Sequence, residues 1–259
     1  MRRVNVNNQL TKWLGAVSLA LSAQAVSADM LGLHLGVGVW QNESDGDLLS
    51  LAVPQDTSDL GMDDDNANFF YVKFEHPVPM LPNLRLAQSG AGTTGDVNMV
   101  YGGIDATLKT DIDLDHMDYT LYWEVIDTGM DLDIGLTARR FDGSLTQEVY
   151  SNLVPGTVLG SQVQPIEGTI PMLYINARVE LPFTGFYVGG EINSLSYQGD
   201  GFNDLTAKVG WSTDSWIMPE FGVELGYRKM SLDIDASNKL DTTLDLSIDG
   251  YYLALVGHF

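Results

Sequence analysis

Ten segments of this chain alternate apolar and polar residues with a period of two, and no apolar run after residue 28 approaches the length of a membrane-spanning helix. Successive side chains of a strand point to opposite faces, so this alternation encodes a sheet with one greasy and one polar surface. If such a chain crosses hydrocarbon, only a closed set of strands satisfies its backbone. The expected fold is all-β: a transmembrane antiparallel up-and-down β-barrel of ten strands, with eight to twelve possible. A secreted soluble β-sandwich gives the same alternation with the sheets reversed, and is the rival fold.

The last segment, Leu244 to Phe259, is the clearest. Tyr251, Leu253, Leu255, Gly257 and Phe259 share one register, and the strand ends on an aromatic residue with no polar tail. That ending resembles the signal by which the barrel assembly machinery of Gram-negative outer membranes recognises its clients, and names that machinery as an expected partner. At the other end, Arg2, Arg3 and Lys12 precede a short apolar run, Trp13 to Ala23, and small residues at Val26-Ser27-Ala28. This predicts a signal peptide over 1–28, with cleavage after Ala25 as a competing site, and a barrel over 29–259. The apolar run falls short of the ~20 residues a spanning helix needs.

Loss of residues 1–28 removes three basic residues and no acid, leaving 10 basic against 35 acidic residues, a formal charge of −25 in place of −22. Such a chain repels nucleic acid, and it meets anionic headgroups only through bridging divalent cations. With no cysteine, thiolate catalysis, thiolate metal sites and disulfides are excluded.

The predicted strands are joined by connections that alternate in length. Asn42 to Asn68, Ser89 to Thr110 and Asp142 to Gly168 are long; Pro77 to Pro82, Asp127 to Gly129 and Pro182 to Gly185 are short. The fourth strand is placed at Asp111 to Ile126. The segment Ser89 to Thr110 is read as a loop that can also extend its neighbours or hold a further hairpin. Long loops at one end and tight turns at the other fit a membrane barrel.

The polar face decides which side looks inward. It carries Gly32, Gly36, Gly38, Gly135, Gly189, Gly210, Gly222 and Gly226, which make room inside a narrow barrel. It also holds Lys73, Arg85, Arg139, Arg178, Lys208 and Arg228 against Glu75, Asp118, Glu124, Asp133, Glu180, Glu191, Glu220 and Glu224. These near-balanced charges predict an ion-pair network in a mostly plugged lumen, since about ten strands enclose far less than the ~16 of an aqueous channel.

Three stretches carry a family likeness: Asp29-Met30-Leu31-Gly32; Asp113-Leu114-Asp115-His116 leading into Tyr119-Thr120-Leu121-Tyr122-Trp123-Glu124; and Leu181-Pro182-Phe183-Thr184-Gly185 leading into Gly189-Gly190-Glu191-Ile192-Asn193. With the terminal Phe259 they resemble the small Gram-negative outer-membrane proteins known as the family with a GlyGly motif. The resemblance implies an outer-membrane location and a barrel fold and supplies no activity; outer-membrane lipid, and lipopolysaccharide through divalent cations shared with the acidic loops, are the expected partners.

Chemistry is sparse. His116 with Asp115 and Asp118 is the one cluster suited to an acid–histidine hydrolase, and a lumen hydrogen bond is its plainer role. His34 and His258 lie on strands that must meet at closure, which predicts a hydrogen-bonded pair. Asp63-Asp64-Asp65-Asn66 lacks the spacing of a calcium loop and is read as a solvated acidic stretch, where divalent cations can gather. No metal site, cofactor or catalytic residue is assigned. The expected role is structural, adhesive, or passage of very small solutes; the alternative is a surface protease or lipid hydrolase.

Overall fold

The computed structural model describes residues 31–48, 65–78, 80–127, 130–197, 200–213, 219–235 and 243–259. Residues 1–28, where a signal peptide is expected, and the acids Asp56, Asp59, Asp63 and Asp64 lie outside them. Among the described residues twelve strands form: β1 (Gly32–Leu48), β2 (Asp65–Glu75), β3 (Asn83–Ser89), β4 (Gly92–Tyr101), β5 (Ile104–Asp113), β6 (His116–Asp127), β7 (Met130–Ser151), β8 (Val158–Glu180), β9 (Phe186–Tyr197), β10 (Asp200–Ser212), β11 (Glu220–Asp235) and β12 (Thr243–His258). All pairings are antiparallel, in the order β4-β5-β7-β6-β3-β2-β1-β12-β11-β10-β9-β8, and β8 returns to β7 to close a ten-stranded ring. β12 lies between β1 and β11, and Phe259 exchanges backbone hydrogen bonds with Leu33 at 3.0 and 3.1 Å.

The two strands beyond ten are not an independent element. Ser89 pairs with His116 and Gly92 with Asp113, so β3–β6 and β4–β5 keep one register across the breaks at 90–91 and 114–115. β6 and β5 likewise follow each other along the same edge of β7, from His116 opposite Phe141 to Asp113 opposite Ser144. Ser89 to Thr110 is therefore a hairpin that extends its neighbours rather than a loop. The single strand placed at Asp111 to Ile126 is interrupted at Leu114-Asp115 and reaches up to Ile104. Gly102 and Gly103, at φ 59° and 82°, supply the left-handed pair that a two-residue hairpin turn requires. Asp142 to Gly168 is also mostly strand, because β7 runs on to Ser151 and β8 begins at Val158. β1 continues past Asn42 to Leu48, and β2 starts at Asp65.

Every strand of the ring turns apolar side chains outward. Leu136, Leu253 and Leu255 are 63%, 61% and 63% exposed, and Val39, Leu84, Trp123, Leu173, Val188, Val209, Phe74 and Leu225 continue the belt around the wall. A continuous exposed apolar belt has no place in water, which makes this a transmembrane barrel with the glycines and charges facing inward.

The inward glycines have a specific function. Gly36 lies opposite Tyr71, Gly210 opposite Tyr187 and Gly226 opposite Tyr252, and in each pair the tyrosine ring lies over the glycine where a Cβ would stand. Each aromatic ring thus folds flat along the wall instead of filling the lumen, and is aimed at the central charges. Gly210→Val should displace Tyr187 and lower stability by about 1–3 kcal/mol, read as an earlier urea midpoint of the refolded barrel in detergent.

Candidate functional site

The lumen is built in two layers. Near the short-turn end the layer is ionic. Asp118 receives Arg139 through both carboxylate oxygens at 2.7 Å, from Nε and Nη2. Arg139 Nη2 also donates to Asp204 at 2.7 Å, and Arg228 reaches the same carboxylate from Nε at 2.9 Å and Nη2 at 2.7 Å. Asp204 on β10 thus joins a guanidinium from β7 to one from β11. Below it, Lys73 pairs with Asp133 at 3.2 Å, Arg85 with Glu191 at 3.0 Å and Lys208 with Glu224 at 3.0 Å. Tyr187 donates to Glu224 at 2.8 Å, and Asn176 to Asp133 at 2.9 Å. The Arg85 guanidinium also lies 5.5 and 5.8 Å from the ring centres of Tyr71 and Tyr174, whose negative faces favour a cation.

Most of the charges expected inside are brought together; Glu220, 34% exposed beside His258 at the mouth, departs from the set, as do two others. Glu124 is exposed beside a register irregularity of β6, and Glu180 is exposed at the rim, paired with Arg178 at 3.0 Å; neither belongs to the buried layer. Arg178 itself lies over the Tyr187 ring at 3.8 Å. Asp204 was absent from the expected set, although it shares the register of Lys208.

The second layer is apolar and lies beyond the expected ion-pair network. Trp40, Ile112, Leu114, Met172, Phe202, Met230, Leu246 and Ile248 pack as one buried cluster. Arg228 lies over the Trp40 ring at 4.7 Å and Arg139 over Phe202 at 5.2 Å, so aromatic faces cover the top of the ionic layer. A cavity of about 60 Å³ remains among Arg85, Asp118, Glu191, Lys208 and Glu224. That is room for about two waters.

His116 is buried and its Nδ1 lies 2.9 Å from the Leu114 carbonyl, while both oxygens of Asp118 are taken by Arg139. The acid–histidine couple a hydrolase would need is therefore not assembled. His34 and His258 do face each other across the closing strands, but their rings stack at 4.0 Å instead of hydrogen-bonding, and His34 Nε2 bonds Glu75 at 2.9 Å. Tyr251, Leu253 and Leu255 of the final strand point outward.

Above the ring, β4, β5 and the upper parts of β7 and β8 form a four-stranded blade. Ala106, Leu108 and Val149 make its own small core, with Met99 and Leu159 against it. Lys109 pairs with Asp96 at 3.0 Å on the charged outer face. At the tip, Ser151 Oγ accepts from the backbone N–H of Leu153 and Val154, both at 3.2 Å, and Asn152 N–H donates to the Asp105 carbonyl at 2.9 Å. This hydrogen-bonded turn leaves Leu153 and Val154 70% and 58% exposed, and Val100 near the end of β4 is 58% exposed.

No protein-family model and no curated protein matches the sequence. Among solved structures the chain is similar to the outer membrane protease OmpT from Escherichia coli, at 10% identity and TM-score 0.41 over 91% of this chain and 98% of that one. It is similar to the attachment invasion locus protein Ail of Yersinia pestis at 13% identity and TM-score 0.29, over 89% and 99% of the two chains. The outer membrane protein OprG from Pseudomonas aeruginosa follows at 12% identity and TM-score 0.26, over 88% and 94%.

Removing one partner of the buried network strands the others. Arg139→Met should cost about 3–5 kcal/mol by leaving Asp118 and half of Asp204 unpaired, measured as loss of urea resistance. At the blade's base, outside the belt, burial and then the neighbouring Asp113 charge push the Asp115 carboxyl up to about 6. A group that holds its proton more tightly folded than unfolded opposes folding once ionised, so this part should weaken as pH climbs from about 4 through 6. Amide protection factors of β4–β5, corrected for the intrinsic pH dependence of exchange, should be higher at pH 5 than at pH 7.5, and Asp115→Asn should raise them at pH 7.5.

Proposed function

We propose that this is an integral outer-membrane β-barrel of a Gram-negative bacterium that acts as an adhesive surface protein rather than as a pore or an enzyme. The observation that carries the proposal is the blade: a rigid extension in register with the wall, ending in exposed aliphatic side chains above a filled lumen. Residues 98–104 and 151–159 contain no charged side chain in an otherwise acidic molecule, which lowers the cost of desolvating the tip against another surface. A lumen closed by paired charges and an apolar layer supports neither bulk diffusion nor, with Asp118 committed to Arg139, hydrolysis at His116.

In this proposal the apolar belt meets outer-membrane lipid, and the acidic outer surface shares divalent cations with lipopolysaccharide phosphates. The final strand presents Tyr251, Leu253, Leu255 and Phe259 to the barrel assembly machinery. Export follows from the signal segment over 1–28.

Two measurements test the role. In planar bilayers the purified barrel should give no steps of porin size; regular steps would replace adhesion with solute passage. Cells displaying the protein should attach to polystyrene and to cell monolayers several-fold more than cells displaying the Leu153→Ser/Val154→Ser variant at equal surface level. Equal attachment would remove the tip from the proposal.

A further inference from the structure

Among the described residues the blade has two sheet edges with no neighbouring strand. β4 pairs with β5 alone, and β8 pairs with β9 only over Leu173 to Glu180, so from Val158 to Met172 it has β7 on one side only. An open edge offers its N–H and carbonyl groups to any extended chain, and folded proteins guard such edges with proline, charge or a bulge.

The two edges are not alike. Leu181 N–H donates to the Phe186 carbonyl, so the odd-numbered residues of β8 carry the backbone groups that face away from β7. Pro165 and Pro171 both fall in that row, where a missing N–H costs the β7–β8 ladder nothing and obstructs a further strand. β4 has no such guard. The Gly102-Gly103 turn joins Tyr101 to Ile104, and the Asp105 carbonyl accepts from Asn152 on the far side of β5, so Val97, Met99 and Tyr101 bond to β5. Thr94, Asp96, Asn98 and Val100 therefore turn their N–H and carbonyl groups to the open edge, and all four are exposed.

We propose that the β4 edge is a docking site for an extended, lysine- or arginine-rich segment of another protein, which adds to the blade as a further strand. Main-chain hydrogen bonds supply the affinity of this mode, and side chains supply the choice of partner. Charge makes the choice here. Asp96, Asp105, Asp111 and Glu148 share the outer face of β4, β5 and β7 with one cation among the described residues, Lys109, which Asp96 takes at 3.0 Å. Burial and then the Asp113 and Asp65 charges hold the Asp111 carboxyl above its usual range, and a cation laid along β4 relieves that repulsion. A second copy of this chain would bring the same acids to the same edge. The site lies on the side of the blade and is independent of the Leu153-Val154 tip.

The test uses the full barrel in a nonionic detergent, with a short peptide of alternating lysine and valine as the probe. The peptide should bind saturably and slow the amide exchange of Thr94, Asp96, Asn98 and Val100, while Val97 and Met99 are protected with or without it. The same peptide N-methylated at alternate residues keeps its charge and loses one row of donors, and should bind at least about tenfold more weakly. A peptide with glutamate in place of lysine should not bind. Asn98→Pro gives β4 the guard that β8 already has and removes no bond to β5; it should weaken binding about tenfold. The N-methylated peptide on the wild-type barrel keeps the test decisive if that variant fails to refold. Absence of saturable binding, binding without protection of the four edge amides, or equal binding of the N-methylated peptide overturns the proposal. So does protection of those amides in the peptide-free barrel that grows with barrel concentration, which would put a second copy on the edge.

Discussion

Closure of the backbone ladder is the constraint on which everything else depends. In hydrocarbon an unpaired N–H or carbonyl has no water to turn to, so the ring stands only if its last strand meets its first. Here β12 fills that position, and its terminal residue is locked to Leu33. Once the ring closes, alternation sends every second side chain into a space a few side chains wide. The contents of that space are fixed by neutralisation and by shape.

Those two demands explain the layering. Charges that enter a low-dielectric lumen must arrive with partners, and a single carboxylate, Asp204, bonds guanidinium groups from β7 and from the adjacent β11. The tyrosines can reach the charges because glycines let their rings lie along the wall. Trp40 and Phe202 then cap the arginines with aromatic faces, so that an apolar layer follows a charged one. A buried ionic layer of this kind contributes register and shape more than net stability.

Much of this was written in the chain and some was not. Parity was legible: Lys73, Arg85, Arg139 and Asp133 fall on the inner face because alternation puts them there. Height was not, and so Glu124 and Glu180 were grouped with the buried charges although they sit at the rim. Asp204 escaped notice because it follows the glycine- and polar-rich residues 198–203, which hide the start of its strand. The blade was half visible. Gly102-Gly103 is a hairpin turn between Val97, Met99, Tyr101 and Ile104, but the Ser, Gly and Thr residues at 89–95 obscured the strand before it. The stacked histidines lie at opposite ends of the chain, and only closure makes them neighbours.

The unbroken register between blade and wall has a mechanical consequence. Antiparallel hydrogen bonds run perpendicular to the strands, so tension applied at Gly102-Gly103 along the strand axis loads the β4–β5 and β5–β7 ladders in shear, many bonds at once, rather than unzipping them singly. The same line of strand continues through β3 and β6 into the membrane. Traction on the outermost turn would be borne by the embedded ring as a whole, as a mast passes wind load to a keel.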